Sequence, residues 1–289
     1  MQLTSADWRT ALDAVVGARV TMVIGASDAG KTTLVATLAG ALASRGSRVG
    51  VGVVDADLGQ SEIGPPATVG LGWVTAPLAR LSEAVPAALH FVGVSSPARD
   101  IRGVVEGTRR MIERARADGL ERILVDTCGL VVGGPGRLLK RRKIDAVDPD
   151  LVLALARGDE CEPIVRPYEG ATRPRVVRLA ARGHLRSRSQ AARRRHRLAA
   201  FDAYLSDARP VVIDRSAVTV AGSVDRKPSE CVGMLCGLDD ARGDTIALGV
   251  VREVAADALR ILAPLATAAG VTTVRIGWEW IDGRPRRRP

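Results

Sequence analysis

Gly25-Ala-Ser-Asp-Ala-Gly30-Lys31-Thr32 follows an apolar run at 19–24 (RVTMVI) and opens a helix-like stretch at 31–44. It fits G-x-x-x-x-G-K-[ST] at every position, in the strand–turn–helix setting that gives the pattern its meaning. The glycines let the loop close tightly, so that backbone N–H groups wrap a phosphate at a helix N-terminus. Lys31 is placed to reach the β- and γ-phosphates, and Thr32 to hold Mg²⁺ through its hydroxyl. The loop is therefore expected to bind ATP through Gly25, Ser27, Asp28, Ala29, Gly30, Lys31, Thr32 and Thr33.

Outward from the loop, short apolar runs alternate with helical patterns. Residues 4–17 read as an amphipathic helix, 48–55 (RVGVGVVD) and 89–94 as strands, and 101–117 as a helix. Further strands are expected at 122–125 (RILV) and 151–156 (LVLALA). Continuous apolar runs between helices are what a parallel sheet covered on both faces requires. After 211 the character changes to VVIDRSAVTVAGSV, CVGMLCGLDDARGDTIALGVV and VTTVRIGWEWID, which read as strands, with one helix expected near 254–259. The expected organisation is an α/β P-loop domain over 1–209 and a small, mostly β C-terminal domain over 210–289.

The 289 residues are 46% hydrophobic but only 3% aromatic, so aliphatic side chains must fill the core. No apolar run reaches the length of a membrane span. The N-terminal residues carry Asp and Arg where a leader would be apolar. These features point to a cytoplasmic chain with no membrane partner. Cys128, Cys161, Cys231 and Cys236 lack metal-ligand spacing and read as buried thiols, so no structural metal is expected. The net charge of +10 is local: ten arginines and no acid lie between Gly170 and Phe201, and the remaining 32 basic residues match the 32 acids. Apolar positions at helical spacing within 186–205 suggest an ordered, anion-binding helix.

Asp55-Ala-Asp57-Leu-Gly-Gln60 ends the second strand. Carboxylates at the C-terminal end of a parallel strand lie beside the phosphate loop, where they can hold Mg²⁺ or its waters and take a proton from an attacking hydroxyl. Asp126-Thr127-Cys128-Gly129 ends a later strand, as the γ-phosphate-sensing turn does in GTPases, but the guanine-reading N-K-x-D is impossible in a chain without Asn. Partition-type dimeric ATPases share the K-T-T and carboxylate turn, yet their extra loop lysine is replaced by Ala26.

GASDAGKT, DADLGQSEIGPP, VDTCGLV and RRRHRLAAFDAYL, in this order over about 19–206, resemble the polynucleotide 5′-hydroxyl kinase family; residues 231–281 match its β-rich tail more loosely. The resemblance implies transfer of the ATP γ-phosphoryl group to the 5′-OH end of single-stranded RNA or DNA in RNA processing, with Mg²⁺. Lys31, Asp57, Arg193 and Arg197 would be catalytic, Asp57 as general base and the arginines on a lid over 183–205. Gln60, Thr127, Gly129 and Arg194 would hold the acceptor, Thr127 and Gly129 as a clasp. Thr32 and Asp55 would serve the metal, Asp55 partly through water. Leu130 stands where well-studied members place a stacking Trp, and the loop begins too early for the N-terminal β domain of eukaryotic members. The alternatives are a non-catalytic ATP-binding subunit of an RNA-processing complex and a kinase for a small hydroxyl compound. Lys140, Arg141, Arg142 and Lys143 are expected either to line a basic channel opposite the lid or to form an exposed cationic helix face.

Overall fold

The computed structural model describes residues 4–45, 50–181, 189–222 and 227–281. Seven strands form the first sheet: β1 (Val20–Gly25), β2 (Val51–Ala56), β3 (Thr68–Val74), β4 (Val85–Phe91), β5 (Arg122–Thr127), β6 (Leu151–Ala156) and β7 (Arg175–Ala180). Their spatial order is β4-β3-β2-β5-β1-β6-β7. The strands from β2 to β7 run parallel, and β3 and β4 add an antiparallel edge. The four inner parallel strands are buried along nearly their whole length, which explains their unbroken apolar runs.

Helices cover both faces. α1 (Ser5–Val16) and α2 (Lys31–Ala43) pack on one, with Leu34, Val35 and Leu38 in its core. α3 (Ile101–Ala117) and α4 (Gly133–Val147) cover the other, where Met111, Ile112, Leu139 and Ile144 meet the sheet. Asp100 caps α3, its carboxylate accepting from Gly103 N at 2.8 Å. After the short α5 (Glu162–Val165) and β7, α6 (Gln190–Tyr204) starts at Ser189, whose hydroxyl accepts from Ala192 N. No helix among the described residues is long and apolar enough to cross a membrane.

The second sheet contains β8 (Arg209–Asp214), β9 (Thr219–Gly222), β10 (Met234–Asp239), β11 (Thr245–Val254), β12 (Ala258–Ala263) and β13 (Thr273–Trp280), in the order β8-β12-β11-β10-β13-β9. A single helical turn, α7 (Pro228–Cys231), precedes β10. The helix expected near 254–259 is absent. That stretch is the end of β11, a turn, and the start of β12, whose Leu259, Ile261 and Ala263 point inward at period two. The arginine-rich run is also divided. Arg175 and Arg178 lie on β7, and Arg178 pairs with Glu162 and Glu169 on the flank of the sheet. Arg182, Arg186 and Arg188 fall outside the described residues.

Polar contacts join the two sheets. Thr245 Oγ1 accepts from Phe91 N at 2.9 Å, and Gly93 O accepts from Trp278 N at 2.8 Å. Arg275 pairs with Asp239 and donates to Phe91 O beside the buried His90. Burial, reinforced by the Arg275 guanidinium, pulls His90 down to about 3. Because the folded chain keeps this ring neutral, its contribution to stability is complete above about pH 6.5 and is lost as pH falls towards 3. Unfolding at pH 5.5 should therefore be easier than at pH 7.5 by about 1.4 kcal/mol from this group alone. Denaturant unfolding of the parent and His90→Gln chains at both pH values checks it: the variant should lack that component.

Candidate active site

The phosphate loop leaves β1 and enters α2, with Asp28 at φ 58° and Gly30 at φ 95°. Lys31 is buried, and its ammonium donates back to Ala26 O at 2.9 Å. Burial lowers its pKa, with Asp126 opposing the shift. Thr32 Oγ1 donates to Asp126 Oδ2 at 2.5 Å, whereas the other Asp126 oxygen is buried with no hydrogen-bond partner. A threonine hydroxyl joined to a strand-end carboxylate with one oxygen to spare is a donor set suited to Mg²⁺.

The two carboxylates of the second strand end differ in placement. Asp55 is buried, its Oδ1 accepting from Asp57 N and its Oδ2 from Glu62 N, Ile63 N and Ser61 Oγ. It organises the 55–63 turn, and it pairs in register with Asp126. Burial and that neighbouring carboxylate push Asp55 up to about 7, and burial likewise pushes Asp126 up to about 6. Asp57 faces the cleft, with Oδ1 oriented by Gly59 N at 3.0 Å and Gln60 N at 3.2 Å. Gln60 Nε2 is buried beside it without a partner.

Two connected clefts meet at this point. One, of about 450 Å³, runs along Ser27–Thr33 to Glu62, Arg80, Ser82 and His196. The other, of about 640 Å³, is walled by Asp57, Gln60, Ser95–Ala98, Cys128–Leu130, Arg193, Arg194 and Arg197. Arg193 and Arg197, the expected lid arginines, and Arg194, expected at the acceptor, thus border one cavity. Arg193 bridges to Asp28 at 3.0 Å, and Arg197 Nη1 and Asp57 Oδ1 both lie within 4 Å of where a Gly59 Cβ would sit. The second sheet supports the same wall: Glu279 accepts from both Ser95 N and Ser95 Oγ at 3.0 Å.

Thr127 does not open onto the cavity. It is fully buried, and its hydroxyl donates to Val23 O at 2.7 Å, tying β5 to β1. The turn instead presents Cys128, Gly129 and Leu130. Gly129 lies against the phosphate loop, where an added Cβ would stand 2.4 Å from the Ser27 backbone. Gly129→Ala must displace one of the two loops, so ATP binding measured by titration should weaken at least about tenfold, with stability falling by about 1–3 kcal/mol. Unchanged affinity would show that the turn yields freely.

Lys140 and Lys143 correct the sequence reading most sharply. Both are fully buried under the sheet, and only Arg141 and Arg142 of that run reach solvent. The run is therefore neither a channel wall nor a wholly exposed cationic face. Burial lowers Lys143 to about 8. Asp126 and the Ser95–Ala98 and Glu62–Arg80–Ser82 walls were not identified as site residues. The Asp126 signal was a carboxylate at the end of the strand beside β1; the walls lack any motif.

The sequence model of the family described as "mRNA cleavage and polyadenylation factor CLP1 P-loop" matches residues 25–207. A polyribonucleotide 5′-hydroxyl-kinase of Pyrococcus furiosus is 39% identical over 202 residues, covering 70% of this chain and 55% of the relative. One from Methanocaldococcus jannaschii is 33% identical over 202 residues, covering 70% and 54%. The match thus spans little more than half the length of these archaeal proteins. The polynucleotide 5′-hydroxyl-kinase GRC3 of Yarrowia lipolytica is 32% identical over 143 residues, covering 46% and 23%. Among solved structures, Clp1p in the wild-type Clp1p–Pcf11p complex superposes with a TM-score of 0.70 over 97% of this chain and 80% of that one. At 13% identity that likeness concerns the fold.

Proposed function

This chain belongs to the CLP1 P-loop family of mRNA cleavage and polyadenylation factors, and from that premise we propose that it is an ATP-dependent polynucleotide 5′-hydroxyl kinase. The observation that carries the reading is the convergence of the phosphate loop, Asp57, Gln60, the Gly129 turn and three α6 arginines on one cleft. Asp57 receives the proton of the 5′-hydroxyl as its oxygen bonds to the γ-phosphorus and the bond to the bridging β–γ oxygen breaks, releasing ADP. Lys31, Arg193 and Arg197 offset the negative charge in transit, and Gln60 and Arg194 hold the acceptor end. Thr32 and Asp126 are the residues fitted to hold Mg²⁺, which would neutralise phosphate charge. Asp55, with both oxygens engaged by the 55–63 turn, shapes the loop that presents Asp57. The α6 arginines act as a lid that closes on the phosphates. Activity is proposed for the cytoplasm on single-stranded RNA or DNA ends.

With Lys140 and Lys143 withdrawn from the surface, the α6 arginines form the main basic wall of the cleft. If they grip two or three phosphates, log affinity for an oligomer should fall by about 0.7 per log unit of salt for each phosphate neutralised. Labelled phosphate transfer to 5′-OH oligomers of graded length, each at two salt concentrations, tests this. Oligomers of several nucleotides should outcompete a nucleoside, and discrimination among terminal bases should be weak because Leu130 offers no ring for stacking. Equal use of nucleoside and oligomer without salt dependence would assign a small hydroxyl acceptor. ATP binding without transfer would assign a non-catalytic subunit.

A further inference from the structure

α4 passes beneath the carboxyl edge of the first sheet, and its inward face includes two lysines one turn apart among Leu139, Ile144 and Val147. Lys140 Nζ donates to Cys128 O at 2.6 Å and lies 3.4 Å from Cys128 Sγ. Lys143 Nζ donates to Ala56 O at 3.3 Å. Among the described residues, the hydrogen-bond partners of both ammonium groups are main-chain carbonyls and that sulfur, not carboxylates. Ammonium groups are seldom buried on such terms without a specific task, because their desolvation is costly.

The location of those carbonyls defines the task. The β2–β5 ladder ends at the pair Ala56–Thr127. Beyond it the strands part, one into Asp57 and Gln60, the other into Cys128, Gly129 and Leu130, and these five residues line the cleft. Ala56 stands in the last pair and Cys128 one residue beyond its partner, so the two lysines donate, from below, to the carbonyls at the point where the strands part.

Resting on the kinase reading for its chemical meaning, we propose that Lys140 and Lys143 are positioning residues that fix the two diverging strand ends, Lys140 the acceptor-gripping 128–130 turn and Lys143 the turn that presents Asp57. A pair of rigid side-chain struts here sets the distance between proton acceptor and acceptor clasp. Displacement of reacting groups by about 1 Å can cost 10²-fold in rate. The two struts therefore predict different kinetic signatures. Lys143→Met should lower kcat by about 10²-fold with KM for ATP unchanged. Lys140→Met should chiefly raise KM for the 5′-OH oligomer, by about tenfold, as an ill-held clasp loses uniform binding.

The experiment pairs steady-state kinetics with hydrogen exchange on the full chain. In Lys140→Met, amides at 128–130 should exchange about tenfold faster, and in Lys143→Met those at 57–60, with the sheet interior unchanged. Lys143→Gln, whose amide keeps a donor one bond short of Lys, should show a smaller change in both readouts; it takes the place of Lys143→Met if that chain does not fold, and Lys140→Gln serves likewise. Exchange at both turns matching the parent chain overturns the proposal, as does an equal fall in every kinetic constant from global loosening. Faster exchange at the named turns in the variants, when the parent chain itself transfers nothing to oligomers, upholds the struts and removes the kinase reading instead.

Discussion

An Asp57→Ala chain should transfer phosphate to a 5′-hydroxyl oligonucleotide about 10²–10⁴-fold more slowly than the parent, the usual contribution of a general base. Its melting temperature and ATP affinity should be little changed. The side chain faces the cleft, and among the described residues its hydrogen bonds are with the N–H groups of Gly59 and Gln60 in its own turn. Alanine removes the proton acceptor while leaving β2, held between β3 and β5, in place. Single-turnover transfer with saturating ATP is the measurement. A residual rate above about a tenth of the parent lies outside that range and would pass the role of base to another group.

The second large effect separates the two buried carboxylates. Asp126→Asn should reduce transfer by about 10³-fold and raise the Mg²⁺ concentration needed for half-maximal rate, since a bound metal contributes several kcal/mol. Its Oδ2 holds Thr32 and its other oxygen is unengaged, so the amide disturbs the ligand set more than the fold. Asp55→Ala should do the reverse. It strips the acceptor from Asp57 N, Glu62 N and Ile63 N, so unfolding free energy should fall by about 3 kcal/mol, the scale of orphaned buried donors, with the Mg²⁺ requirement unchanged. Rates over a Mg²⁺ series and denaturant melts of both variants decide the assignment, and interchanged results would return the metal to Asp55.

Local order in the sequence explains what was legible. The phosphate loop, the strand before it and the helix after it are specified within some 25 residues, and all three stand where the pattern puts them. Asp57, Gln60 and the α6 arginines follow their strand and helix ends into one cleft. The β3 strand was not legible because Thr68–Val74 (TVGLGWV) carries two glycines and follows Pro65-Pro66, so its surroundings read as loop. The burial of Lys140 and Lys143 is not legible because LLKRRKI gives four adjacent cations the same chemical signature. Burial of the first and last depends on the carbonyls of Cys128 and Ala56, 12 and 87 residues away. The inward orientation of Thr127 is illegible for the same reason: only the fold brings Val23 O within reach of its hydroxyl.

The far end of α6 has a mechanical consequence. Phe201 is buried with Phe91, Leu235 and Leu248, and the Tyr204 hydroxyl accepts from Leu248 N at 3.0 Å. The helix is thus anchored at the seam between the two sheets, and Arg193 stands eight residues from that anchor. At 1.5 Å per residue this is a lever arm of ~12 Å, so a swing of ~10° moves the guanidinium base by ~2 Å, the difference between a hydrogen bond and none. For the lid motion proposed above, the small β sheet would set the arc through which the arginines travel. Trimming a methylene from Leu235 or Leu248 is then a way to retune catalysis without touching the cleft.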